Sequence, residues 1–227
     1  PREGELTVNE QHIRGTRTAR YFSLGVPGPR IRQVWLVCHG YRQLARSFLR
    51  RFRPLDDGTR LIIAPEGLSR FYLDDGTRQH DRDDPIGATW MTREDRENEI
   101  RDYVEFLDRV LNETMENTGY ECDKLTVLGF SQGVHTVCRW VVAGDFRVAR
   151  TVCWGGYPPP DLDPERGPLR LSRTDLLLVR GLDDPYVSEE SHRLQKKRLD
   201  ELDIPFRTLT HTGRHELDGD LLMGIAD

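Results

Sequence analysis

Residues 124–143, K-L-T-V-L-G-F-S-Q-G-V-H-T-V-C-R-W-V-V-A, constrain the fold more than any other part of the chain. Leu125, Val127 and Leu128 make the aliphatic, β-branched run of a strand covered on both faces. Val134, Val137, Cys138, Val141 and Val142 then recur at helical spacing with few charges between them, so the helix they predict is central rather than peripheral. Between strand and helix stands G-x-S-x-G, as Gly129, Phe130, Ser131, Gln132 and Gly133. A sharp strand-to-helix turn forces the serine into strained backbone geometry and needs small neighbours so that helix and strand can approach. It also pushes the Ser131 Oγ out of the sheet. The alternative is a glycine-rich turn with an idle serine; the strand before it and the helix after it weigh against that.

The rest of the chain alternates strands with helices. Residues 33–38 (Q-V-W-L-V-C), 61–64 (L-I-I-A), 150–154 (R-T-V-C-W), 174–179 (T-D-L-L-L-V) and 206–209 read as strands, and 17–24 as an edge strand stopped by Val26-Pro27-Gly28-Pro29. Helices are expected over 44–52, after Ser188, and over 220–226. A longer one is expected from a Thr92 cap, with Asp95 three residues on, to Gly119, burying Ile100, Tyr103, Val104, Leu107, Val110, Leu111 and Met115. Alternation of this kind predicts an α/β fold with a mainly parallel central sheet and helices on both faces. No shift in composition divides residues 1–227, so a single domain is expected. Residues 67–90 show no persistent period and read as a loop walling a substrate pocket, with Phe71, Tyr72 and Trp90 as its apolar content. Within it, His80, Asp81, Asp83 and Asp84 read as solvated side chains; no metal site is expected.

The net charge of −5 argues against nucleic acid as a partner, because phosphate binding needs a basic face. No apolar run approaches the roughly 20 residues of a spanning helix, and the first ten residues lack the apolar segment of a secretory signal. Cys38, Cys122, Cys138 and Cys153 show no C-x-x-C spacing, and three of them sit in apolar elements, so free thiols in a reducing, cytoplasmic compartment are expected. Arg42, Arg46, Arg50, Arg51 and Arg53 read as a solvated face, with anion binding by Arg42 as the alternative.

In parallel sheets ligands bind beyond the carboxyl ends of the strands. His39, Ser131, Asp184 and His215 all fall there, and this coincidence weighs more than any single motif. From about Val34 to His215 the chain resembles the α/β-hydrolase superfamily, and within it the phospholipase/carboxylesterase family that includes acyl-protein thioesterases. The resemblance rests on H-G at 39–40, G-F-S-Q-G at 129–133, G-L-D-D-P-Y-V at 181–187 and G-R-H at 213–215. It implies Ser131 as nucleophile, His215 as general base and Asp184 as the carboxylate orienting the imidazole. Physical chemistry asks for the same three groups: a hydroxyl attacks poorly until an imidazole takes its proton, and the imidazolium needs a fixed anion. The backbone N–H groups of Tyr41 and Gln132 are the expected oxyanion donors. Asp183 rivals Asp184 and His211 rivals His215, while His39 and His135 read as structural.

The implied activity is that of a serine carboxylesterase or thioesterase acting on small to medium acyl esters through an acyl-enzyme, without a cofactor. The partner is then a small-molecule acyl ester or thioester, and monomer and homodimer are both open. The same three groups serve lactone hydrolases, phospholipases and peptidases, and a non-catalytic binding protein on this scaffold is the rival from another class. This chain departs from the family where Tyr41-Arg42-Gln43 follows H-G in place of a small residue and a glycine-rich turn. The family's pocket segment is also unmatched at 67–87. Both departures bear on acyl specificity.

Overall fold

The computed structural model describes residues 8–74, 76–118 and 125–226. Gly119, the expected end of the long helix, Cys122 and Lys124 lie outside the described residues. A seven-stranded sheet runs in the order β1 (Tyr21–Leu24), β3 (Arg60–Pro65), β2 (Gln33–Cys38), β6 (Leu125–Phe130), β7 (Arg150–Trp154), β8 (Asp175–Gly181) and β9 (Arg207–His211). Only β1 is antiparallel to its neighbour, with Phe22 opposite Ala64; every other pair is parallel.

Strand alternation decides which side each residue serves. Val34, Leu36 and Cys38 of β2, with Leu125 and Val127 of β6, join one buried cluster. On that side pack α2 (Arg96–Thr118) through Tyr103 and Leu107, α3 (Gln132–Ala143) through Val134 and Val137, α4 (Arg166–Leu171) through Leu171, and α5 (Glu189–Glu201) through Leu199. Trp35 and Val37, with Leu128 and Phe130, face a second cluster. It is closed by α1 (Ala45–Leu49), the 3₁₀ turn Arg50–Leu55 and α6 (Gly219–Ala226), through Phe48, Phe52, Leu222 and Ile225. Ser188 caps α5, its hydroxyl accepting from the Ser191 N–H at 3.1 Å.

Two expectations are corrected and one element is new. Thr92 lies before the long helix rather than capping it: α2 starts at Arg96, and Asp95, at φ 45°, turns the chain in, its carbonyl accepting from the Asn98 and Glu99 N–H groups. Thr92 is instead held by the Glu99 carboxylate at 2.5 Å. Residues 67–90 are not a plain loop, because Ser69–Tyr72 (β4) and Ile86–Thr89 (β5) pair as an antiparallel hairpin. The four-residue strands are too short to impose a period on the sequence. The new element is α4, which follows the three prolines after β7 and whose six residues were not foreseen.

Candidate active site

Gly129 and Gly133 allow the turn between β6 and α3. A Cβ on Gly129 would lie 2.3 Å from the Gly133 carbonyl oxygen, and one on Gly133 would lie 2.2 Å from that of Cys38. Ser131 between them adopts φ 54° and ψ −118°, a conformation that only over-determined packing sustains. Its N–H donates to the Trp154 carbonyl at 2.9 Å, and its hydroxyl does not cap α3. Oγ is therefore left for another purpose.

Asp184 and His215 meet because the loops after β8 and β9 are laced together. The Leu182 N–H donates to the His211 carbonyl and the Asp183 N–H to that of Gly213. The Trp154 indole holds the Glu216 carbonyl at 2.8 Å, anchoring the residue after His215. His215 Nδ1 donates to Asp184 Oδ2 at 2.7 Å, while Oδ1 accepts from the Tyr186 N–H at 2.8 Å. Asp184 is 6% exposed, so this carboxylate faces its partners and little water. Two contacts bring the imidazole to the serine turn. Its ring centroid is 4.8 Å from that of Phe130, and a Cβ on Gly155, the residue after the carbonyl that Ser131 engages, would lie 2.8 Å from His215 Cε1. Tyr186 covers the imidazole edge-on at 4.8 Å. No hydrogen bond joins the Ser131 hydroxyl to Nε2 of His215.

Neither the rival histidine, His211, nor Asp183 joins this cluster. His211 is buried against Trp154, and its ring nitrogens have no partner among the described residues. His39 is fully buried; its Nε2 accepts from the Gly67 N–H at 3.0 Å, so the proton sits on Nδ1, 2.8 Å from the Gly40 carbonyl. Burial lowers its pKa, keeping the ring neutral. His135 is exposed on α3.

The Tyr41 and Gln132 N–H groups donate to no carbonyl among the described residues, leaving both free beside the serine. The turn carrying Tyr41 is braced twice. Gln43 Oε1 takes the Gly40 N–H at 2.8 Å, and the Arg42 N–H and Gln43 carbonyl pair with Ala88 of β5. Sequence reasoning missed the role of the Gln132 side chain: Oε1 accepts from the Trp90 N–H at 3.2 Å and Nε2 donates to the Met91 carbonyl at 2.9 Å, clamping the end of β5 to the head of α3. It also missed Glu66, 1% exposed, whose carboxylate binds Arg20 and the Ala45 N–H. The P-E-G step at a strand end was the available signal.

The three expected pocket residues separate. Phe71 stacks on Tyr41 at 5.5 Å, at the rim of the site. Tyr72, half exposed, stacks instead on His80. Trp90 is a correction: it is 1% exposed, and its indole donates to the His39 carbonyl at 2.8 Å, so it builds the floor beneath the turn. It borders a different cavity of about 570 Å³, between residues 12–19 and α2, which none of Ser131, Asp184 or His215 lines. A cavity of about 310 Å³ does reach His215 and Phe130. Among the described residues, the one group with metal-ligand spacing is Glu10, His12 and Asp95, all exposed. No helix among them is long and apolar enough to cross a membrane.

Solved structures with this arrangement of strands are numerous. Esterase PE8 superimposes with a TM-score of 0.66 at 18% identity, covering 92% of this chain and 97% of its own. The Bacillus cereus carboxylesterase gives 0.64 at 13% identity, covering 92% of both chains. The chain has the α/β-hydrolase fold. Zea mays acyl-protein thioesterase 2 shares this fold at a TM-score of 0.62 and 16% identity, over 92% of this chain and 96% of its own. No family model and no curated protein sequence matches the chain. In α/β-hydrolase terms, the shared fold places the β6–α3, β8 and β9 loops at one end of the sheet.

Proposed function

We propose that the protein is a serine hydrolase that cleaves small to medium acyl esters or thioesters through an acyl-enzyme. The observation that carries this reading is the 2.7 Å bond between His215 Nδ1 and Asp184 Oδ2, set against a Ser131 held at φ 54° with its hydroxyl unused. Asp184 holds the proton on Nδ1, so Nε2 is the free base. Nε2 takes the Ser131 proton as Oγ attacks the acyl carbon. The oxyanion that forms is met by the Tyr41 and Gln132 N–H groups, the latter at the start of α3, where the helix dipole also favours negative charge. His215 returns the proton to the departing alcohol or thiol. Water, activated by the same imidazole, then releases the acid and frees Ser131. Phe71, stacked on Tyr41, walls the substrate entrance together with the hairpin.

A panel of p-nitrophenyl esters of increasing acyl length, with a fluorophosphonate probe, tests the reading. The wild type should turn over the shorter esters and take the probe, and Ser131→Ala should do neither. Labelling that persists in Ser131→Ala removes Ser131 from the mechanism. An inert wild type, folded and unlabelled, rejects the hydrolase reading altogether.

A further inference from the structure

We propose that this site prefers substrates carrying a second, free carboxylate, received by Arg42 and Arg51 in the cavity beside His215. The inference rests on the hydrolase reading above and adds the charge of the substrate. The cavity, about 310 Å³, is shared by His215 and Phe130 on the reactive side and by Arg42, Ser47 and Arg51 on the other, with Glu216 at its edge. Two guanidinium groups against one carboxylate leave one net positive charge, suited to a monoanionic carboxylate rather than a phosphate dianion. This lies against a chain whose overall charge is −5.

Two observations separate these arginines from a solvated face. Arg42 stands at φ 68°, in the left-handed region where a residue with a β-carbon is disfavoured. Its N–H donates to the Ala88 carbonyl at 3.0 Å, which fixes the root of the side chain at the cavity. Among the described residues its guanidinium has one hydrogen bond, to the Leu73 carbonyl at 3.3 Å, which leaves most of its donors available. Arg51 has no hydrogen-bond or ion-pair partner among the described residues. Arg46, Arg50 and Arg53, on the same stretch, do not line the cavity. The departure from the family pattern at Arg42 thus places a cation where the substrate enters.

The test compares kcat/KM for p-nitrophenyl butyrate with that for the mono-p-nitrophenyl ester of adipic acid, which carries the anion on the acyl side, and kcat/KM for phenyl acetate with that for 4-acetoxybenzoate, which carries it on the leaving group. Wild type should favour one anionic ester over its neutral counterpart, and the preference should weaken as salt rises. Arg42→Gln with Arg51→Gln should lower that anionic-to-neutral ratio about tenfold or more, chiefly through KM. Arg51→Glu should invert it, and Arg50→Gln should leave it unchanged. Equal ratios in wild type and the double variant overturn the inference while the hydrolase reading stands. No turnover of any of the four esters rejects the hydrolase reading first. Calorimetric titration with butyrate, a monoanion, reads the cavity directly: binding to wild type that the double variant loses supports it, and no binding to wild type overturns it.

Discussion

The serine turn depends on two absent side chains. A Cβ on Gly133 would lie only 2.2 Å from the Cys38 carbonyl oxygen, so Gly133→Ala must displace either β2 or α3. Overpacking of this kind costs about 3 kcal/mol, which for a domain of this size lowers Tm by about 6–12 °C. Thermal unfolding followed by circular dichroism reads the shift, and an unchanged Tm would show that the turn relaxes freely. Asp184→Asn asks a different question at the same scale. It preserves the shape but reverses the hydrogen-bond logic at His215 Nδ1, so the proton moves to Nε2, the base of the proposed mechanism. In comparable sites this lowers kcat about 10⁴-fold. The ester assay on the purified variant should show a loss of that order with Tm little altered, and retention of most activity would exclude Asp184 as the orienting carboxylate.

At the scale of elements, the Gln132 side chain joins α3 to the end of β5. Its amide bonds to Thr89, Trp90 and Met91 hold the hairpin against the turn that carries Tyr41. Gln132→Ala keeps the backbone N–H of Gln132 and removes only the clamp. Amide hydrogen exchange at 88–91 should then quicken about tenfold, roughly the worth of one lost hydrogen bond, while the buried amides of α3 hold their rates. Exchange unaltered at 88–91 would show that the pairing of Ala88 with Arg42 and Gln43 suffices. This clamp also explains why the stretch 67–90 read as a loop. Beyond the short hairpin itself, its order comes from contacts with Gln132, 42 positions from Trp90 in sequence, rather than from local periodicity.

Across the whole molecule, Asp161 ties the segment after β7 to two helices, bonding Arg96 of α2 and Arg139 of α3. Burial alone would raise its pKa, but the hydrogen bonds from Arg139 and Arg96 outweigh it and hold the carboxyl down at about 2, against an ordinary 3.8. A carboxylate held low in the folded state stabilises above the unfolded value and loses that contribution as pH falls through the folded one. Urea midpoints for wild type and Asp161→Asn should therefore differ near neutrality and converge as pH falls from 3.8 towards about 2. A gap that stays constant over that range would mean the loss is one of packing alone.

What was legible in the sequence was whatever depends on neighbours a few residues away. The buried strands, the G-x-S-x-G turn, the Ser188 cap and the alternation that sets a parallel sheet all follow from local sterics and from which face must be covered. The order of Ser131, Asp184 and His215 at strand ends was readable too, since a parallel sheet brings those ends together whatever the loops do. Only the tertiary structure decided that Asp184 rather than Asp183, and His215 rather than His211, meet at 2.7 Å, because adjacent residues differ in direction and not in composition. It also moved Trp90 from wall to floor and set Arg42 and Arg51 around one cavity. Those outcomes depend on where separate loops cross, and no spacing along the chain encodes a crossing.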